Sequence, residues 1–411
     1  MTQEGALAVL KDPDLATVLA ALPAARLVGG AVRDALAGLP VSDMDLATPE
    51  APETSMKLLG RAGLRVVPTG LAHGTVTAVV NHRPFEITTL RRDVTTDGRH
   101  AEIAWTDDWR VDAARRDFTI NAMSLGQDGT LHDYFGGVDD LLAGRVRFVG
   151  DAATRIAEDY LRVLRFFRFW ARYGKGDPDA EAVTAIRHAI PGLAILSSER
   201  VWSELKRILA APDPSVAVAL MDRLGVLRAI VPEGADAGRL ARLVQRGAPA
   251  DPLLRMAALL TGSAEAFGQR LKLSVAERDR LIGWTSGQLP ASGDDAELRR
   301  LLVDEDGETL IGRLWLSYLP PDDAAHLRTK LASMPRPVFP LEGRDALALG
   351  ASPGPAVGAA LRQVRQRWLE EGCTAPPDAL QAWLAEAVRP GALPLDPAGG
   401  RASGLPLVRR K

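Results

Sequence analysis

Hydrophobic and polar positions run along this chain in two different rhythms. From residue 26 to about 148, short apolar runs are separated by turns: ARLVGG, DMDLAT, RVVPTG, GTVTAVV, RPFEITTL and RVRFVG. Their length and their β-branched and aromatic content predict strands. Ahead of them, residues 1–22 repeat Ala, Leu and Val at helical spacing and predict a helix. After Gly150 the period is helical almost throughout, punctuated by Pro and Gly. The predicted helices cover 151–174, 178–190, 198–211, 214–228, 237–247, 251–263, 274–285, 295–303, 307–317 and 321–333. Residues 91–110 (RRDVTTDGRHAEIAWTDDWR) are polar and without a period, which predicts a mobile loop or one ordered by ligand. Residues 334–345 read as a linker, and a Gly-Pro turn leads into a helix across 350–361. The Pro- and Gly-rich end, 391–411, reads as disordered. The pattern predicts an α+β chain: a mixed α/β N-terminal part, then helices only.

Composition narrows this picture without redirecting it. The chain has 411 residues, 46% hydrophobic and 25% charged, which is ordinary for a soluble protein with ample core. That length suggests about two to four domains. A net charge of −2 gives no global sign of nucleic-acid binding, so any basic surface is local. Arginine outnumbers lysine, and its planar fork suits bidentate contacts to phosphate and base edges. Cys373 is the only cysteine, which excludes an internal disulfide and a structural Cys-type zinc site. His73, His82, His100, His132, His188 and His326 are scattered and form no ligand pair. No run approaches the ~18 apolar residues of a membrane helix. The N-terminal stretch carries acids and no basic leader region, so the cytoplasm is the expected compartment.

The chemistry concentrates in three places. The first is Leu27 to Thr48, LVGGAVRDALAGLPVSDMDLAT. Gly29 and Gly30 let backbone approach a ligand closely, because no Cβ stands in the way. The helix that follows, carrying Arg33, turns its unpaired N–H groups toward whatever sits on the glycines, which favours phosphate. Asp43 and Asp45 stand two apart on an expected strand, so both carboxylates face one side. A divalent cation would remove their repulsion and serve phosphoryl transfer. Either piece alone is a weak signal, since Gly-Gly turns and DxD triplets are common.

In that order and spacing, however, the segment resembles the signature of the polymerase-beta-like nucleotidyltransferases. The fuller form GGxVRD…DxD resembles the tRNA nucleotidyltransferase and poly(A) polymerase family of bacteria and eukaryotes, its class II. Two further segments carry the same resemblance. RRDFTINA, Arg115 to Ala122, matches the family motif residue for residue. EDYLRVLRFFRFW, Glu158 to Trp170, resembles its nucleotide-selecting EDxxR element. Sparser likenesses are SERVWSEL, 198–205, which opens on a Ser198 cap signal and resembles an SxERxxxEL element that braces neck helices, with Glu199 and Arg200 as buried pairing residues, and GRDALALGASPGPAVGAAL, 343–361, resembling a tail element. The tail turn suits either an RNA phosphate or plain helix punctuation.

The resemblance implies a catalytic head over 1–148, a helical neck over 149–212 with a base-selecting helix, a body over 213–333 and an RNA-binding tail over 334–390. It implies addition of C, C and A to the 3′ end of tRNA from CTP and ATP, with two Mg²⁺ ions on Asp43 and Asp45. The partners it implies are the acceptor end and elbow of tRNA, with no membrane and no protein partner. Glu86, in RPFEITTL, matches a strand that supplies a third carboxylate. Phe85 and Ile87 face one side of that strand, and Glu86 and Thr88 the other. Gly30, Arg33 and Arg116 would hold the triphosphate, and Asp117 would meet a ribose hydroxyl, with Asn121 fixing local backbone. Arg165 and Arg168 are assigned to nucleotide binding.

The selecting motif can also be argued from chemistry. Asp159, Arg162, Arg165 and Arg168 fall every third residue on an expected helix. Cytosine and adenine each show an amino donor beside a ring acceptor, which Asp159 and Arg162 match. Uracil and guanine show the reverse, leaving both groups mispaired at about 1–3 kcal/mol per buried group. A poly(A) polymerase or a partial CC- or A-adding relative is the alternative; the long 91–110 loop and the absence of a strongly basic extension favour full CCA addition. A non-catalytic tRNA-binding protein is the remote alternative.

Overall fold

The computed structural model describes residues 3–96 and 101–389, so the 391–411 end lies outside the described residues. The chain divides into two compact units, Met1–Leu281 and Ile282–Lys411.

The first unit opens with α1 (Gln3–Val9) and α2 (Pro13–Ala21). The single expected helix over 1–22 is thus two. Asp12 breaks it: its carboxylate accepts from the backbone of Asp14 and Leu15, and Pro13 takes the first helical position, where a missing N–H costs nothing. Then come β1 (Arg26–Val28), α3 (Gly30–Leu36), β2 (Leu46–Thr48), α4 (Pro52–Arg61), β3 (Arg65–Gly70), β4 (Thr75–Val80) and β5 (Arg83–Thr89). β6 (Arg91–Thr96) and β7 (Ala101–Trp105) follow, then α5 (Trp109–Ala114), β8 (Met123–Gly126), β9 (Leu131–Asp133) and α6 (Gly137–Ala143).

Seven strands form one sheet in the order β3-β4-β5-β2-β1-β8-β9. All neighbours are antiparallel except β2 and β5, which are parallel with Leu46 opposite Ile87. β6 and β7 make a separate two-stranded ribbon, which corrects the expectation of a loop over 91–110. Backbone pairing gives the segment its structure, although its side chains have no apolar rhythm. RVRFVG, 145–150, is not a sheet strand; Phe148 makes only an isolated bridge to Phe118.

Helices follow: α7 (Ala152–Glu158), α8 (Leu161–Tyr173), α9 (Ala180–Ala189) and α10 (Ser198–Leu209), then Ser215–Leu224, Val226–Ile230, Ala237–Gln245, Pro252–Leu259, Ala264–Arg270 and Val275–Thr285. The helix expected over 151–174 breaks at Asp159, whose backbone is extended and whose carboxylate accepts from Leu161 N–H. The one expected over 214–228 breaks at Gly225 in the left-handed region. α10 starts one residue earlier than its Ser198 cap signal suggests: Ser197 holds the cap position, without a side-chain cap bond.

The apolar faces of α8 and RRDFTINA meet in an aromatic cluster. Phe118 packs 4.7 Å from Phe148 and 5.2 Å from Phe169, and Phe166 lies 6.2 Å from both Phe148 and Trp170. Phe118, Phe148 and Phe166 are fully buried, each contributing about 1.5–3 kcal/mol by removal from water. This cluster fixes the polar residues on either side of Phe118.

The second unit is helical among its described residues. Asp295–Asp304, Gly307–Leu316 and Pro321–Ser333 share a leucine core of Leu298, Leu302, Leu310, Leu314, Leu327 and Leu331. Gly343–Ala348, Pro355–Glu370 and Pro377–Val388 close around Val364, Trp368, Leu380 and Leu384.

Candidate active site

A cleft of about 1140 Å³ opens in the first unit. Gly29, Gly30, Arg33, Asp43, Asp45, Glu86, Arg116, Asp117, Asp159, Arg162, Arg165 and Arg168, the residues that the sequence singles out, all line it. So do Asn121 and Arg200, to which it gave structural roles, and Arg172 and Arg207, which it did not nominate. Residues 43–168 come together because β2 sits mid-sheet and because the Phe118 cluster docks α8 beside it.

One group of the lining side chains is acidic. Asp43 and Asp45 precede β2 rather than lie within it, which corrects their expected placement on a strand. Burial nevertheless alternates there as on a strand: Met44 and Leu46 are buried, and Asp43 and Asp45 are exposed. The Asp45 carbonyl still accepts from Val28 N–H at 2.9 Å, which ties this stretch to β1. The register of β2 on β5 sets Asp45 across from Glu86, and Phe85 and Ile87 are buried as the alternation requires. Partial withdrawal from bulk water, with the charges of Glu86 and Asp43 close by, pushes the Asp45 carboxyl up; Arg116 partly offsets this. Such a carboxylate gains from a cation. Among the described residues no group of three or more His, Cys, Asp or Glu side chains stands at metal-holding spacing. Two carboxylates and a third nearby instead fit Mg²⁺, which commonly takes one or two carboxylates and completes its shell with substrate phosphates and water.

The glycine turn lines the same cleft. Gly29 has φ of +65°, and a Cβ there would stand 2.9 Å from Arg116 Nη1; any side chain would be both strained and in collision. A Cβ on Gly30 would meet Arg33 Nη2 at 3.5 Å. Two guanidinium groups thus flank the turn. Arg116 also reaches Asp112 and the Asn121 carbonyl at 3.4 Å. Arg33 is buried: Nε donates to Asp34, Nη1 donates to Asn121 Oδ1, and its plane lies over the rings of Phe169 and Tyr173.

A second group is rich in arginine. Arg165 binds Asp117 through Nε at 2.6 Å and Nη2 at 2.5 Å. Asp117 also accepts from Phe118 N–H and from Asn121 Nδ2. Burial alone would raise the Asp117 carboxyl; Arg165 and these donors override it and hold the group below its ordinary value. Asp117 is therefore a support for Arg165, its oxygens already engaged. Asn121, expected to fix backbone, instead joins side chains.

Asp159 pairs with Arg200 at 2.6 Å, and Arg162 pairs with Glu158 and donates to the Arg155 carbonyl at 2.7 Å. Arg168 binds Glu204 at 3.0 Å, as does Arg207 at 3.1 Å. Burial, with Arg165 and Arg207 near, pulls the Arg168 guanidinium down to about 10, so it too gains from an anion. Glu199 and Arg200 were expected as buried pairing residues. Glu199 is exposed and pairs with Lys272 at the surface, while Arg200 is only half-buried and faces the cleft. The SxERxxxEL spacing pointed to the helix but not to which of its charges turns inward.

The pH dependence of Asp117 has a definite sign. Because its folded pKa is lowered, its contribution is present above the ordinary carboxylate range and is lost as pH falls through the folded value. Asp117→Asn should lower stability by about 1–3 kcal/mol at neutral pH. Denaturation at pH 7 and again in acid should show that gap closing as the native carboxylate protonates; an equal gap at both would remove the charge from the account.

Residues 25–147 match the Poly A polymerase head domain, and 177–237 match the probable RNA and SrmB-binding site of polymerase A. The chain is 38% identical over 377 residues to CCA tRNA nucleotidyltransferase 1, mitochondrial, from Homo sapiens, covering 87% of this chain and 86% of that protein. It is 39% identical over 202 residues to the CCA-adding enzyme of Streptococcus sanguinis, 49% of each chain. The crystal structure of the Bacillus stearothermophilus CCA-adding enzyme in complex with CTP superposes with a TM-score of 0.72 at 25% identity, covering 91% of this chain and 98% of that one.

Proposed function

The chain belongs to the family of CCA tRNA nucleotidyltransferases, and from that premise we propose that it adds C, C and A to the 3′ end of tRNA, taking CTP and ATP and releasing pyrophosphate. The observation that carries this reading is that one cleft is lined by three carboxylates, a glycine turn and a set of arginines together. A nucleoside triphosphate has the matching polarity, with its phosphates toward Asp43, Asp45 and Glu86 and its base toward α8. The cleft exceeds the ~300–1,000 Å³ of ordinary small-molecule pockets, leaving room for a nucleotide and an RNA end together.

Asp43 and Asp45 would hold two Mg²⁺ ions, with Glu86 beside them. Bound there, the ions supply acidity to the attacking 3′-hydroxyl and neutralise charge on the triphosphate and the leaving pyrophosphate. The protein's own groups do the rest. Gly29 and Gly30 let backbone come close to the phosphates. Arg116 sets positive charge beside the turn. Asp159 offers an acceptor and Arg162 a donor to the edge shared by C and A, while Arg165 and Arg168 add positive charge deeper in the cleft. Arg33 stands behind the turn as a strut, since its Nε and Nη1 are occupied.

The domain reading is head 1–148, neck 149–212, body 213–333 and tail 334–390, the last two carrying the tRNA. None of the described helices is long and apolar enough to cross a membrane. We assign the protein to the cytoplasm, which cell fractionation checks against the mitochondrial placement in the vertebrate relatives' names.

Incubation of the full chain with Mg²⁺, labelled CTP and ATP, and tRNA lacking its last three nucleotides tests the function. Ordered gain of two C and one A is expected. Runs of A on any RNA would replace the reading with a poly(A) polymerase, and binding without incorporation would replace it with a non-catalytic tRNA binder.

A further inference from the structure

α3 and α8 meet through one continuous polar chain. Arg165, Phe169 and Tyr173 stand at i, i+4 and i+8 and so share a face of α8. Arg33 lies over that face, 5.0 Å from the Phe169 ring and 4.8 Å from the Tyr173 ring. Tyr173 Oη donates to Asp34, and Arg33 Nε donates to the same carboxylate oxygen. From Arg33 the chain runs to Asn121 Oδ1, from Asn121 Nδ2 to Asp117 Oδ1 at 3.0 Å, and from Asp117 Oδ2 to Arg165 Nε at 2.6 Å. Its first guanidinium faces the glycine turn at Gly30; its last also lines the cleft.

Asn121 is the only uncharged link between the two ion pairs, and its chemistry is specific. It is buried, and its oxygen must face a donor and its nitrogen an acceptor. Arg33 and Asp117 each offer only one of these, so the amide has one satisfied orientation. Without it, Arg33 would compete with Arg165 for Asp117. We propose that Asn121 is a positioning residue that couples the glycine turn to the base-reading helix, so that seating of the triphosphate fixes Arg165 and sharpens discrimination among bases. This rests on the nucleotidyltransferase reading and adds to it a residue whose amide is engaged on both sides by other side chains.

The experiment compares single-nucleotide addition of CTP and UTP to tRNA lacking its last three nucleotides, by the full chain and its variants, with tRNA affinity and melting temperature measured alongside. Absence of C addition by the unaltered protein would fail the function itself, before any variant is read. Asn121→Ala should reduce the CTP-over-UTP ratio of kcat/KM about tenfold, mainly through KM for CTP, with tRNA affinity unchanged. Asn121→Asp alone should do the same, because it sets a second carboxylate against Asp117. The double variant N121D/D117N should recover much of the ratio: a carboxylate at 121 accepts from Arg33, and an amide at 117 donates to it while its oxygen still accepts from Arg165. This pair keeps the net charge and the links from Arg33 through 121 and 117 to Arg165, giving up only the bond from Phe118 N–H to position 117, so it also serves where Asn121→Ala does not fold. A wild-type ratio in the single variants overturns the proposal, and so does a double variant no better than Asn121→Asp.

Discussion

Asp43→Ala is expected to abolish nucleotide incorporation, by about 10³-fold or more, while tRNA binding stays near the wild-type value. The size follows from what the group would do: metal-borne charge stabilisation is worth several kcal/mol, and each ~1.4 kcal/mol is tenfold in rate. The selectivity of the loss follows from where Asp43 sits. It is exposed, outside the sheet ladder, and its contact is a 3.2 Å hydrogen bond from its neighbour Ser42. Removing such a side chain costs the fold about 0.5 kcal/mol at most, and it relieves repulsion toward Asp45. A filter-binding titration with tRNA and an incorporation assay in excess Mg²⁺ measure the two halves. Substantial activity in the variant would remove Asp43 from the metal site. Joint loss of binding and activity would mean that the carboxylate supports the structure instead.

The sequence made some of this site legible and hid the rest for physical reasons. Glu86 was readable because alternation on a strand is strict: with Phe85 and Ile87 buried, Glu86 and Thr88 must face the other way, as they do. Asp43 and Asp45 were readable for the same reason: although they precede the ladder, the alternation of exposed and buried positions continues through them. Helix breaks were harder. Asp12-Pro13 and Asp159 interrupt stretches whose apolar period continues across the break, so the local capping bond decides against the pattern. β8 and β9 are four and three residues long, too short to show a period.

Partnerships were the least legible. Arg200 is 41 residues from Asp159, and Asp117 is 48 from Arg165. Nothing in the residue types says which of several arginines on α8 and α10 meets which acid. The Phe118 cluster settles it by fixing the helix rotation, and that is a property of packing. Asn121 illustrates the point: inside RRDFTINA it reads as a local structural residue, and only the docking of α3 and α8 on either side of it makes it a link.

Arg162→Ala should reduce the preference for CTP over UTP by about 10–100-fold, because the donor proposed for the ring nitrogen of C or A is lost. The structure sharpens how this donor is held. Arg162 lines the cleft while Nη1 is anchored by Glu158 and the Arg155 carbonyl, all in the segment where α7 ends and α8 begins. Asp159, from the same break, is held by Arg200 and by Leu161 N–H. Acceptor and donor are thus fixed independently, from different elements, at one helix start. That arrangement keeps the reading edge stiff, and stiffness is what turns a mispaired uracil into a penalty instead of a small readjustment. Loss of Arg162 removes the penalty on uracil's ring N–H and the reward for cytosine's ring acceptor together, so the ratio should fall more than the rate of C addition itself. Competition between CTP and UTP in single-turnover incorporation reads the ratio directly. An unchanged ratio with slower addition of both would show that Arg162 serves the phosphates, and the base edge would then have to be read by Arg200 with Asp159.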